Sequence, residues 1–150
     1  MIYLASDHRG FNLKERIKQW LSDWGYEFKD LGAHGYDQSD DYPDFVAPVA
    51  EEISKDSDDS IGIILGASGQ GEAIVANRFK NVRAVVYYGG PDEILELSRK
   101  HNDANILSLG ATFLDEKQAK HAIRLWLNTL FSNEERHIRR IQKIEKISCC

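Results

Sequence analysis

Short apolar runs alternate with segments of helical period along this chain, and that alternation restricts the fold more than any other feature. Ile2-Tyr3-Leu4-Ala5, Ile61-Gly62-Ile63-Ile64-Leu65, Ala84-Val85-Val86-Tyr87-Tyr88 and Ile106-Leu107-Ser108-Leu109 are continuously apolar rather than alternating. Strands covered on both faces of a parallel sheet read this way. Glu27 to Leu31 is a weaker fifth strand, nearer an edge. Between the strands, Leu13, Ile17 and Leu21 recur at helical spacing, as do Val46, Val49, Ala50 and Ile53, then Ile94, Leu95 and Leu97, then Ala119, Ala122, Ile123 and Trp126. The expected fold is α/β: a three-layer αβα Rossmann-like sandwich with about five parallel strands, right-handed crossovers and an extra C-terminal helix over Glu134 to Ile147. Ligands of such a sheet bind beyond the carboxyl ends of its strands.

The 150 residues are enough for one domain with a sizeable core, and no linker or repeat divides them. A formal net charge of −5 argues against broad electrostatic binding to nucleic acid or to an anionic membrane surface, so any phosphate is expected to be held locally. The two cysteines, Cys149 and Cys150, are adjacent at the end of the sequence, which is neither a disulfide framework nor metal-ligand spacing. They read as exposed, reduced thiols. No signal peptide or membrane-spanning stretch is apparent, and a cytoplasmic location is the default expectation.

Three polar segments flank the strands. Ser6-Asp7-His8-Arg9-Gly10 follows the first, Gly66-Ala67-Ser68-Gly69-Gln70-Gly71-Glu72 follows the third, and His101-Asn102-Asp103 precedes the last; all three are expected to converge on one edge of the sheet. The glycine-rich segment opens a helix, where backbone N–H groups and the helix dipole favour an anion. It is not a Walker A loop, and it lacks the third glycine of a dinucleotide fingerprint, so nucleotide binding is disfavoured. Spacing alone leaves a tight strand-to-helix turn, with Glu72 merely complementing the dipole, as an equal reading. Asp7 is equally a helix N-cap or half of an acid–base or phosphate-contacting pair with His8. His101 is equally a helix-end residue. Near the C-terminus Arg136, Arg140 and Lys143 form a basic face beside an isoleucine stripe of Ile138, Ile141 and Ile144, either a solvated face or a phosphate clamp on a helix packed against a partner. A metal centre using Asp7, His8, Asp40 and Asp41 is a weak reading, because these groups lie on separate loops without recognised ligand spacing, and no metal or other cofactor is expected.

In order along the chain, these motifs resemble the type B ribose-5-phosphate isomerases of the ribose/galactose sugar-phosphate isomerase superfamily. The matches are Asp7-His8-Arg9-Gly10-Phe11-Asn12-Leu13-Lys14, Asp41-Tyr42-Pro43, the Gly66 to Gly71 turn with Ala76-Asn77 after it, His101-Asn102-Asp103, and Arg136-His137-Ile138-Arg139-Arg140. Many members carry a cysteine base where this chain has Gly66, and the sequence is more similar to a branch in which a glutamate at the position of Glu72 is the base. The resemblance implies interconversion of ribose-5-phosphate and ribulose-5-phosphate through a cis-enediolate, without a cofactor. It implies Glu72 as the proton shuttle, Ser68 orienting a hydroxyl or Glu72 itself, and His101 opening the sugar ring. Asp7 and Tyr42 contact hydroxyls, Gly69, Gln70, Gly71 and Asn102 line the oxyanion, and His8, Arg136, His137 and Arg140 contact the phosphate end. In relatives the C-terminal arginines reach the neighbouring subunit's site, so a homodimer, or a tetramer built from dimers, is expected. Thr112 stands where relatives often have an arginine. A hexose-6-phosphate isomerase, acting on galactose- or allose-6-phosphate, and a non-catalytic sugar-phosphate-binding subunit are the alternatives.

Overall fold

A computed structural model describes residues 1–147; Cys149 and Cys150 lie outside the described residues. The elements follow in the order β1 (Ile2–Ser6), α1 (Phe11–Asp23), β2 (Phe28–Asp30), α2 (Pro43–Lys55), β3 (Ile61–Gly66), α3 (Gln70–Ala76), β4 (Ala84–Tyr87), α4 (Asp92–Lys100), β5 (Ile106–Gly110), α5 (Glu116–Asn128) and α6 (Glu135–Glu145). All strand pairs are parallel, in the spatial order β2-β1-β3-β5-β4. This is the α/β Rossmann-like sandwich that the alternation of apolar runs predicts.

Two apolar layers cover the sheet. On one face Ile17, Trp20 and Leu21 of α1, Leu95 of α4 and Ala119, Ala122, Ile123 and Trp126 of α5 pack on Leu4, Ile63, Leu65, Leu107 and Leu109. On the other, Val46, Val49, Ala50 and Ile53 of α2 and Ala76 of α3 pack on Ala5, Ile64 and Ile106. β1, β3 and β5 are buried on both faces, which explains their unbroken apolar runs. β4 departs from the sequence reading: although as apolar as the central strands, it lies at the edge, and Ala84, Val85 and Val86 are only half-buried. The α4 stripe departs too. Leu95 and Ser98 face the core, while Ile94 and Leu97 are 48% and 37% exposed. The inward row is completed by a polar contact that hydropathy does not register, with the Trp126 indole N–H donating to the Ser98 hydroxyl at 3.0 Å.

Connectivity creates one functional landmark. From β1 the chain moves outward to β2, then returns across β1 to β3, so the strand order reverses between β1 and β3. The crevice beyond the carboxyl ends of these two strands is where doubly wound sheets hold ligands.

Candidate active site at the carboxyl edge of the sheet

The β1–α1 turn and the β3–α3 turn meet at this crevice. Asp7 is buried, and its carboxylate accepts the Arg9 and Gly10 backbone N–H groups at 2.9 and 3.2 Å. Asp7 is not the helix cap, because Gly10 occupies that position; one carboxylate oxygen instead satisfies the turn that leads into α1. Gly10 must lack a side chain, since a Cβ there would lie 2.6 Å from Leu65 Cβ. That contact draws the two turns together.

At the end of β3 the absence of a side chain at Gly66 has a direct use. A Cβ on Gly66 would lie 1.6 Å from Glu72 Oε1 and 2.2 Å from its Cδ, so the glutamate carboxyl group occupies the space that a residue-66 side chain would fill. Gly69 adopts a left-handed conformation at φ 77° and begins α3, which places Glu72 in the first helical turn pointing back over β3. The Ser108 hydroxyl of β5 donates to the Gly69 carbonyl at 2.5 Å, and the Ser68 hydroxyl accepts the Gln70 N–H at 3.3 Å. The first N–H groups of a helix lack intrahelical partners, so the turn presents donors to its surroundings. Thr112 stands beside the same turn, its N–H donating to the Ala67 carbonyl at 3.0 Å.

Glu72 is 4% exposed. Burial pushes its pKa above the ordinary carboxylate value of 4.5; its own backbone N–H pulls the other way, and the nearby Asp7 charge adds to the rise. Burial outweighs the backbone N–H. Tyr42, at the start of α2, closes another side: a Cβ on Gly71 would lie 2.7 Å from the phenol Cζ and Oη. The polar stretch Gly32 to Asp41 brings Asp40 onto His8, whose Nδ1 lies 2.5 Å from Asp40 Oδ1. Asp7, His8 and Asp40 thereby place ligand-type atoms within 4.8 Å of one another. The weak metal reading treated these groups as separate; the fold joins three of them and leaves Asp41 out.

The expected convergence of all three polar segments does not occur within one chain. His101 caps the carboxyl end of α4, and Asn105, just before β5, donates its N–H to the Arg83 carbonyl just before β4. His101, Asn102 and Asp103 therefore lie at the amino ends of the strands, opposite Glu72, because a helix that follows a parallel strand returns the chain to the starting edge. There His101 stacks on His137 of α6, with ring centroids 4.2 Å apart and planes inclined by 15°. His137 is buried and its Nε2 has no hydrogen-bond partner among the described residues. Burial first, then the neighbouring His101, holds its pKa below 6.5. Arg136 and Arg140, on the same helix, are exposed. Arg83 clamps α6 in place, donating to Glu145 at 2.9 Å and to the Asp103 carboxylate at 3.2 Å.

Sequence reasoning overlooked Lys14 as a buried cation and Asp40 as a partner of His8. Lys14 is fully buried and donates to the Asp30 carboxylate at 2.6 Å and to the Ala33 carbonyl at 2.7 Å, securing the start of the loop that carries Asp40. Its place in the Asp7-to-Lys14 motif was the available signal. Asp40 had none, because its contact with His8 spans 32 residues.

The chain is similar to known proteins in both sequence and fold. A protein-family model described as Ribose/Galactose Isomerase matches residues 2–144. The chain is 38% identical over 140 residues to ribose-5-phosphate isomerase B of Mycolicibacterium paratuberculosis, covering 93% of this chain and 86% of that one. The crystal structure of ribose-5-phosphate isomerase B from Mycoplasma genitalium with bound ribulose-5-phosphate superposes with a TM-score of 0.92 at 35% identity, covering 97% of this chain and 93% of the other. A Clostridium thermocellum ribose-5-phosphate isomerase B structure gives 0.90 at 40% identity, covering 97% and 95%. By sequence and by fold, this chain belongs to the ribose/galactose isomerase family.

Proposed function

We propose that the protein interconverts ribose-5-phosphate and ribulose-5-phosphate, with Glu72 as the base. The observation that carries this reading is the Glu72 carboxyl group seated in the space freed by Gly66, under the glycine turn and beside Asp7. A raised pKa suits the task, because a base that must take a proton and then return it works best with a pKa close to the operating pH. The ionised Glu72 removes the proton from C2 of the open-chain aldose, giving a cis-enediolate, and delivers it to C1; the hydroxyl proton moves between O1 and O2. Negative charge on oxygen is met by N–H groups of residues 69–71, and such preorganised donors contribute about 3–4 kcal/mol each when water is excluded. Ser68 orients a substrate hydroxyl or Glu72. Asp7 and Tyr42 contact sugar hydroxyls, and His8 contacts the phosphate.

The remaining groups come from a second copy. His101, Asn102, Arg136, His137 and Arg140 form a cationic and hydrogen-bonding cluster too far from Glu72 to act in the same chain, separated by the length of a five-residue strand, roughly 15 Å. The half-buried β4 edge, with Ile94 and Leu97 exposed on α4 and Ile74 62% exposed on α3, supplies apolar surface for a homodimer that brings the two edges together across the interface. In that assembly His101 assists ring opening and the two arginines hold the phosphate.

The direct test is turnover of ribose-5-phosphate by the unmodified protein and by Glu72→Gln. Turnover that collapses in a folded variant supports the reading, and a fully active variant removes Glu72 from the base role. Activity confined to hexose-6-phosphates would transfer the same chemistry to a longer sugar.

A further inference from the structure

None of the proposed chemistry so far uses Asp40. Its side chain is 8% exposed and makes two contacts to one residue: Oδ1 accepts the His8 backbone N–H at 3.1 Å and lies 2.5 Å from His8 Nδ1. The second oxygen, Oδ2, is buried without a hydrogen-bond partner among the described residues. A carboxylate with so little other compensation depends on the imidazole for its stability in a low-dielectric setting. Since an ionised carboxylate only accepts, the imidazole Nδ1 must carry the proton. The other ring nitrogen, Nε2, is then the atom left for a ligand. The ring is further confined by Tyr36, which meets it edge-on with centroids 6.2 Å apart.

We propose that Asp40 is a positioning residue of the isomerase site: it locks the His8 ring so that Nδ1 is spoken for and Nε2 faces the substrate phosphate. Nothing in this step alters covalent bonds of the sugar. Asp40 thus couples the loop after β2 to the turn after β1, and phosphate affinity depends on a residue that never touches phosphate. The proposal rests on the assignment of His8 to the phosphate.

The deciding variant is Asp40→Asn, which keeps the size of the side chain and an acceptor for the His8 N–H while removing the charge. Three readouts are taken on the full chain: kcat and KM for ribose-5-phosphate, competitive inhibition by inorganic phosphate, and the ¹⁵N signals of the His8 ring. Loss of one charge-assisted hydrogen bond predicts that KM and the phosphate inhibition constant both rise about tenfold while kcat stays within about threefold. The Nδ1–H signal of His8 should lose its strong downfield shift together with that change, because a neutral acceptor replaces a charged one. Asp40→Glu, which restores the charge, should recover part of the affinity. A folded Asp40→Asn protein with unchanged KM, unchanged phosphate inhibition and unchanged His8 ring signals overturns the proposal. Failure of the base assignment is distinguishable, because it appears in the kcat of Glu72→Gln, whereas phosphate inhibition and the His8 signals involve no proton transfer from carbon.

Discussion

The two edges of the sheet hold the two halves of the proposed chemistry, and they are built on different principles. At the carboxyl edge, Glu72 is enclosed by backbone: Gly66 yields its side-chain space, Gly69 turns the chain and Gly71 admits the Tyr42 ring. At the amino edge, the groups are long or aromatic side chains on helix ends, with Arg136 and Arg140 exposed and His101 held by stacking on His137. The first edge is assembled within one chain, which suits the fixed geometry that proton transfer demands. The second, in the proposed dimer, takes part only when another copy supplies an opposing surface.

The sharpest break between the edges comes from Glu72→Gln. Removal of a general base costs on the order of 10²–10⁴ in rate, so kcat should fall by that amount with the fold unchanged in circular dichroism. Gly66→Ala attacks the same centre through space. Its Cβ would fall 1.6 Å from Oε1, so Glu72 must leave its seat, and we expect about 10²-fold lower kcat, with a crystal structure revealing the displaced carboxyl group. A test of the division itself mixes two inactive proteins, Glu72→Gln and His101→Ala. If the edges pair between copies, random re-association gives half heterodimers, each with one intact site, and recovers about a quarter of the parental activity. No recovery after verified subunit exchange would remove His101 from the site that contains Glu72.

The pH responses of the two edges differ in sign. Glu72 has a raised pKa in the folded protein, so it keeps its proton above 4.5 while the unfolded chain has lost it. Stability should fall as pH rises from 4.5 through the raised folded value, and Glu72→Gln should be more stable than the parent at neutral pH. The acid limb of kcat/KM should likewise lie above 4.5. His137 behaves oppositely. Its folded pKa lies below 6.5, so the unfolded chain takes up its proton first, and stability should decline as pH falls below 6.5 toward the folded value. In thermal melts across this range, His137→Phe should flatten that part of the curve. This is the smallest effect expected.

Much of the fold was legible because burial leaves a local record. β1, β3 and β5 carry it as continuous apolar runs, and α1, α2 and α5 as apolar residues at helical spacing. β4 was legible as a strand but not as an edge, since apolar residues at a half-buried edge look the same as apolar residues inside a sheet. The glycine turn was legible as a turn, and the resemblance to isomerases drew attention to Glu72; the reciprocal fit of Gly66 and Glu72 is a matter of three-dimensional volume.

By itself, then, the sequence determined the layered α/β architecture, the order of its elements and the residue types available for proton transfer and anion binding. Those properties follow from patterns a few residues long, where hydrophobic burial and backbone geometry act locally. Only the tertiary structure decided which of those residues meet. It set His8 against Asp40 across 32 residues of chain, seated Glu72 where Gly66 has no side chain, and sent His101 to the far edge, because each outcome depends on strand order and on the return path of a helix. Such distances are fixed by packing between segments remote in sequence, about which local periodicity carries no information.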